Sequence, residues 1–482
     1  MIDLRPAGYV VGWLVLALGV SMLVPWFVDM AAPGPGRFEF LIASTTSSLL
    51  GAFLILTCSN AERRRLTLQQ TFILTVGVWV VLPVFGSIPI LLDVPGIGFT
   101  DAYFEAVSGM TTTGATVLTD LQTLPQGLLL WRGMLQWFGG IGIIVVAMVF
   151  LPELRVGGMQ IFRTEGFDTF GKILPRAAQI ARSVFSIYLA LTVACLVGYS
   201  IAGMSFFDAL VHAMTTLATG GFSNYDTSFA DLGAAAEYVS VVFMLLASLP
   251  FVRYVQLVAL DGRPLILDPQ VRGFLITALT IVVLLLIWRA LFVTTDFEAA
   301  FRKALFNGVS ILTGTGFASE NYMLWGSFPI VLLFIAGLIG GCAGSTTCSI
   351  KIFRFQLLIA AVKTQVQRLH MPHGVFQPRY GGKRVSDEIL SSVIAFFMMF
   401  LLSLAVIAVL LGMTGLDMTT SISGAVAALC NIGPGLGPII GPAGDYGSIN
   451  TVAKWILICA MLLGRLELMA VFVLFTRSFW RA

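Results

Sequence analysis

The chain has 482 residues, of which 57% are hydrophobic and only 11% charged, with a formal net charge of +3. Soluble proteins carry about 25% charged residues, so this supply cannot cover a water-soluble enzyme, and so small a net charge gives no pointer to nucleic acid. Six cysteines scattered over the length make no disulfide framework.

Taken in chain order, apolar runs long enough to cross about 30 Å of hydrocarbon lie at 9–27, 40–57, 71–92, 127–151, 180–202, 238–260, 271–292, 329–358, 389–411 and 452–475. The first follows a short basic start but has no clean small-residue cleavage site, and reads as a retained span. Lys and Arg set the orientation. With the amino terminus inside, Arg63-Arg64-Arg65 and the stretches 155–182, 253–272 and 351–384 fall on the cytoplasmic side, with about 21 of the 28 basic residues. Both termini are then cytoplasmic. Acidic residues lean outward and would concentrate cations at the mouth.

Between the spans a motif recurs. Ser108-Gly109-Met110-Thr111-Thr112-Thr113-Gly114-Ala115-Thr116, Thr215-Thr216-Leu217-Ala218-Thr219-Gly220-Gly221-Phe222-Ser223, Leu312-Thr313-Gly314-Thr315-Gly316-Phe317-Ala318 and Cys430-Asn431-Ile432-Gly433-Pro434-Gly435 each follow an amphipathic lead-in of 11 to 15 residues, half a crossing. The lead-ins start near Asp101, Asp208, Glu298 and Met418. Aligning Gly114, Gly220, Gly316 and Gly433 gives intervals of 106, 96 and 117 residues. The unit is therefore span, half-helix, polar loop, span, repeated four times. The expected fold is an all-α polytopic membrane protein of about ten spans, with four such repeats around one pore. Its parts are an amino-terminal two-helix pair (1–65) and pore repeats at 66–165, 166–266, 267–380 and 381–482.

Irregular backbone at membrane depth survives only where it is packed in protein or lines a watery path. Four such loops about one axis bring backbone carbonyls into a ring that replaces an ion's hydration shell, and no ring of carboxylates competes for that role. Glycine is needed where the carbonyls turn in unison. Thr113, Thr219 and Thr315 add hydroxyls, whereas Asn431 and Ile432 make the fourth loop different. Such a ring points to a bare monovalent cation.

The four loops, the run Trp137-Phe138-Gly139-Gly140-Ile141-Gly142-Ile143-Ile144-Val145 and the run Val156-Gly157-Gly158-Met159-Gln160-Ile161-Phe162-Arg163 resemble the bacterial Trk/Ktr/HKT superfamily of potassium transporters over nearly the whole chain. The two extra amino-terminal spans and the length look like its TrkH branch rather than the eight-span Ktr subunits. The resemblance implies K+ uptake, with no enzymatic activity, by a homodimer in the inner membrane, one pore per subunit and a cytosolic nucleotide-binding TrkA-type ring beneath. It implies a K+ filter of Thr112, Thr113, Gly114, Ala218, Thr219, Gly220, Gly314, Thr315, Gly316, Asn431, Ile432 and Gly433. It also implies a gate at Gly340, Gly341, Cys342, Ala343, Gly344 and Ser345, with Arg465 pointing into the pore below the filter.

The composition of 340–347 independently makes a poor continuous helix, and Arg465 lies about 20 Å into the last span, where a charge needs a cavity or partner. The sequence departs from the family in Thr346-Thr347-Cys348-Ser349, where glycines are common and a stiffer loop is expected. It departs again at Gly314, where threonine is common. A proton- or sodium-coupled symporter is the alternative, with Glu467 the one embedded carboxylate seen in the sequence. A two-repeat carrier of organic cations does not suit four equal loops. An intramembrane hydrolase does not suit three histidines and one deep carboxylate. The basic stretches 163–182 and 351–384 are the candidate partner surface. His370 and His373 read as solvated, and His212 has no assigned role.

Overall fold

The structure, a computed structural model, describes residues 3–31, 38–60, 67–149, 177–258 and 262–481. Arg63-Arg64-Arg65, the run 156–163, most of the stretch 163–182 and the expected boundaries after 65 and after 165 lie outside the described residues. Helix α1 (Arg5–Ser21) continues through α2 (Leu23–Ala31) as one crossing of 27 residues. Helix α3 (Glu39–Cys58) packs back on α1 at Gly12, Gly19 and Gly51, where a side chain would meet the opposite backbone. Small residues at a helix crossing allow this approach.

Four repeats follow. The first is α4 (Leu68–Asp93), half-helix α5 (Phe99–Met110) and α6 (Gln126–Val149). The second is α7 (Ala177–Ile201), half-helix α8 (Phe206–Leu217) and the pair α9 (Ala234–Ala247) and α10 (Phe251–Val258). The third is α11 (Pro269–Phe292), half-helix α12 (Phe297–Leu312), α13 (Ser327–Ile339), an irregular loop and α14 (Ile352–His370). The fourth is α15 (Asp387–Met413), half-helix α16 (Met418–Cys430), α17 (Thr451–Arg465) and α18 (Met469–Phe472). Among the described residues the only strands are a two-residue hairpin, Arg379–Tyr380 with Lys383–Arg384.

The half-helices run 12, 12, 16 and 13 residues, roughly half a crossing. Three start on a side-chain cap that meets an orphan N–H: Ser205 takes Asp208 N at 3.1 Å, Asp296 takes Glu298 N at 3.0 Å and Asp417 takes Thr420 N at 3.1 Å. At Asp417, hydrogen bonds from Thr420, its side chain foremost, hold the carboxyl below the usual carboxylate range.

Among the described residues, seven helices are long and apolar enough to cross, or nine if two bent pairs each count as one. Three expected spans are not continuous. The run 238–260 bends by 90° between α9 and α10, and 452–475 bends by 105° after Arg465. The run 329–358 is interrupted between α13 and α14. Pro250 explains the first break, since it has no N–H to continue the ladder. At the last break Glu467 takes a left-handed φ of 58°, and Gly464 packs so tightly that a Cβ would strike the Leu429 carbonyl.

Candidate functional site

Each half-helix ends in the same turn. The N–H groups of Thr113, Gly220, Thr315 and Ile432 reach the carbonyls five residues back, Ser108, Thr215, Ser310 and Ala427, at 2.9, 2.9, 2.9 and 2.8 Å. The residue before each is left-handed: Thr112, Thr219, Gly314 and Asn431 have φ of 54, 49, 74 and 52°. The residue after each is Gly114, Gly221, Gly316 or Gly433. The first three have φ of 83, 79 and 81°, where a side chain is strained.

This register corrects the alignment of the second loop by one residue, because Gly221 rather than Gly220 stands with Gly114. The helix end sets the special position, and either of two adjacent glycines satisfied a count along the sequence. Ala218 closes helix α8 and accepts from the Thr219 hydroxyl at 2.8 Å.

The loops follow one another around an axis. A Cβ on Gly114 would strike the Gly220 carbonyl, and one on Gly221 the Thr315 carbonyl. On Gly316 it would lie 3.0 Å from Gly433 N, and on Gly433 2.7 Å from the Gly114 carbonyl. All four glycines line one cavity of about 340 Å³, which Asp120, Asp226 and Asp445 also face. Hydroxyl pairs brace two loops, Thr111 with Thr113 at 2.7 Å and Thr313 with Thr315 at 2.8 Å. Asn431 Nδ2 ties the fourth loop to Thr113 Oγ1 at 3.0 Å and to the Met461 carbonyl at 2.9 Å. Thr112 Oγ1 is buried with no hydrogen-bond partner among the described residues.

Around the ring sit residues that sequence reasoning missed. Arg132, on α6, is buried and donates to Glu105 at 2.8 Å and to the Ser223 carbonyl at 3.0 Å. Glu105 is fully buried on α5, so Glu467 is not the only embedded carboxylate. A charge flanked by Phe104 and Ala106 inside a half-helix was the available signal. Gln136 and Tyr446 contact the second and fourth loops. His212, fully buried, joins the Asp208 carbonyl through Nδ1 at 2.8 Å and Ser223 Oγ through Nε2 at 3.0 Å, so it braces the segment after the second loop.

The expected gate forms a second buried loop, and the breaks in the spans hold it. Groups freed around Pro250 pair with it: Cys342 N reaches the Ser248 carbonyl at 3.1 Å, Phe251 N reaches the Gly344 carbonyl at 2.9 Å and the Thr346 hydroxyl reaches the Ala247 carbonyl at 3.1 Å. Ala343 N donates to Gln270 Oε1 at 2.9 Å. Ser345 Oγ donates to the Cys342 carbonyl at 2.7 Å. Gly340 and Gly344 have φ of 73 and 75°, and Gly341 has no room for a side chain beside Thr347. Thr219 of the second ring loop reaches Thr346 Oγ1 at 3.2 Å. Arg465 is buried and donates to the Thr346 carbonyl at 3.3 Å and the Gly139 carbonyl at 2.9 Å, lying against Cys348 Sγ. Glu467 instead pairs with Arg354 and, at 3.5 Å, with Lys351.

The chain matches the family described as TrkH, cation transport protein, over residues 36–481. It is 42% identical to the Trk system potassium uptake protein TrkI of Halomonas elongata over 476 residues, 97% of this chain and 95% of that one. It is 38% identical to TrkH of Vibrio parahaemolyticus over 485 residues, 98% of each. The crystal structure of the potassium transporter TrkH from Vibrio parahaemolyticus superposes over 100% of both chains, with a TM-score of 0.92 and 35% identity.

Proposed function

The chain belongs to the TrkH family of cation transport proteins, and from that premise we propose that it carries K+ inward across the bacterial inner membrane. The observation that carries this reading is the ring: four loops in one backbone register, their glycines packed loop to loop around a single cavity. Carbonyls in two layers, at Thr113, Gly220, Thr315 and Ile432 and then at Gly114, Gly221, Gly316 and Gly433, replace the water around a K+ ion. The Thr112 hydroxyl, buried and without a hydrogen-bond partner among the described residues, supports the reading, since it has an acceptor lone pair to offer. Asp120, Asp226 and Asp445 at the outer cavity attract cations and repel anions.

The loop from Gly340 to Thr347 is the gate, and Arg465 places a positive charge beside it. In the reading adopted here the working unit is a homodimer with both termini cytoplasmic, regulated by a cytosolic nucleotide-binding TrkA-type ring that docks on the basic stretches 163–182 and 351–384. The repeats are taken as 66–165, 166–266, 267–380 and 381–482. Flow down the electrochemical gradient is favoured over proton coupling because Glu105, Glu237 and Glu467 each hold a cationic partner. Labelled Rb+ flux into liposomes holding the purified chain tests this. Uptake blocked by K+, hardly by Na+, and indifferent to an imposed proton gradient is expected. Uptake that collapses without a proton or sodium gradient overturns it in favour of symport.

A further inference from the structure

The ring is not equivalent at its four corners, and two buried side chains outside the loops account for the difference. Gln136, on α6, lies flat against the second loop: its Nε2 donates to the Gly220 carbonyl at 2.6 Å and its Oε1 accepts from Phe222 N at 3.1 Å. It takes the room that Thr113, Thr315 and Ile432 fill with their own side chains, since a Cβ on Gly220 would run into the Gln136 amide. Tyr446, after the fourth loop, donates its hydroxyl to the Gly433 carbonyl at 2.9 Å. Both side chains are buried. Among the described residues the carbonyls of Thr113, Gly114, Gly221, Thr315, Gly316 and Ile432 receive no side-chain donor. Each layer of the ring therefore contains one shared oxygen, in loops two and four, which the ring order places opposite one another.

Resting on the K+ filter reading above, we infer that Gln136 and Tyr446 are specificity-determining positioning residues that each weaken one ring carbonyl toward the passing ion. A carbonyl that accepts an N–H or O–H turns the positive end of that dipole toward its own oxygen, and so offers less field to a cation. The field and number of coordinating carbonyls bear on which ion loses its water at least cost. A weaker ring disfavours the small, strongly hydrated Na+ more than K+. Removing either donor strengthens its layer and admits Na+ better.

The test is Rb+ uptake by the reconstituted full chain with Na+ or K+ as competitor, in Gln136→Met, Tyr446→Phe, the double variant and, in parallel, Gly316→Ser. Methionine keeps the length of Gln136 without the donor to Gly220, also giving up the acceptor of Phe222 N, and phenylalanine keeps the ring of Tyr446 without the hydroxyl. Each single change is expected to lower K+ over Na+ preference about fivefold, the worth of one neutral hydrogen bond. The double change should lower it by roughly the product, because the two lie in different layers. A preference unchanged in both single variants while Gly316→Ser lowers it overturns the inference and leaves the filter standing. A preference unchanged in all four overturns the filter reading itself. If Gln136→Met does not fold, Tyr446→Phe decides alone: it loses one oxygen atom, and a merely structural role would lower the amount of active protein without moving the ratio.

Discussion

The ring and the proposed gate loop are built from the same materials, glycine and small hydroxyl residues buried in the middle of the protein, yet their backbone groups are held differently. Each ring loop bonds to its own half-helix five residues back. The gate loop bonds to residues far along the chain, such as Gln270, 73 positions away, and Arg465, 119 positions away. A locally bonded loop keeps its form when its neighbours move. A remotely bonded loop keeps its place only while those neighbours stay. That contrast fits the proposed roles, in which the ring chooses the ion and the other loop opens.

The largest effect is expected from Gly114→Ala. The added Cβ strikes the Gly220 carbonyl at a left-handed φ, and both layers deform. Loss of essentially all K+-selective Rb+ uptake at normal expression is expected, so retained selective uptake would mean that the ring is not where the ion is chosen. Next comes Arg465→Ala, which removes charge-assisted donors to Thr346 and Gly139. Basal flux should rise on the order of tenfold, with the K+ over Na+ ratio unchanged; flux at or below wild type at matched expression sinks the gate assignment. Gln270→Ala removes the acceptor of Ala343 N. A rise of about fivefold in basal flux, again without a shift in selectivity, is expected from one neutral hydrogen bond, and a change of ratio would mean that gate and ring are mechanically one unit. The smallest effect is one of pH. The lowered carboxyl of Asp417 stabilises the fourth half-helix above the ordinary value of 3.8, and that support is lost as pH falls through the lower folded value. Thermal stability of the detergent-solubilised protein should therefore be lower in Asp417→Asn than in wild type above that value, and the gap should close as pH falls below it.

Much of this was legible in the sequence because both signals are local. Hydropathy over some twenty residues marks a span, and a polar glycine-bearing stretch after half a span marks a re-entrant loop, so Thr112 to Gly114, Gly314 to Gly316 and Asn431 to Gly433 could be read directly. Gly340 to Ser345 stood out because a run of small residues is a weak helix. The second loop slipped by one because Gly220 and Gly221 are alike in composition and differ only in distance from the helix end. Glu105, Arg132, Gln136 and Tyr446 were passed over because what matters in each is a partner 13 to 91 residues away. Pro250 was visible, but not that the groups freed around it would hold Cys342, Gly344 and Thr346.

A membrane protein of four half-helix repeats, and the type of oxygen each loop offers, follow from residue order alone, since apolar length and backbone conformational preference are properties of short segments. Which glycines share a register, which carbonyls of the ring are shared with a side chain, and that Glu467 is held by Lys351 and Arg354 rather than by Arg465 emerge only once the chain is folded. Those outcomes depend on packing between repeats. A hydrogen bond or ion pair forms where buried polar groups meet at the right distance, and that distance is not written in the spacing of residues along the chain.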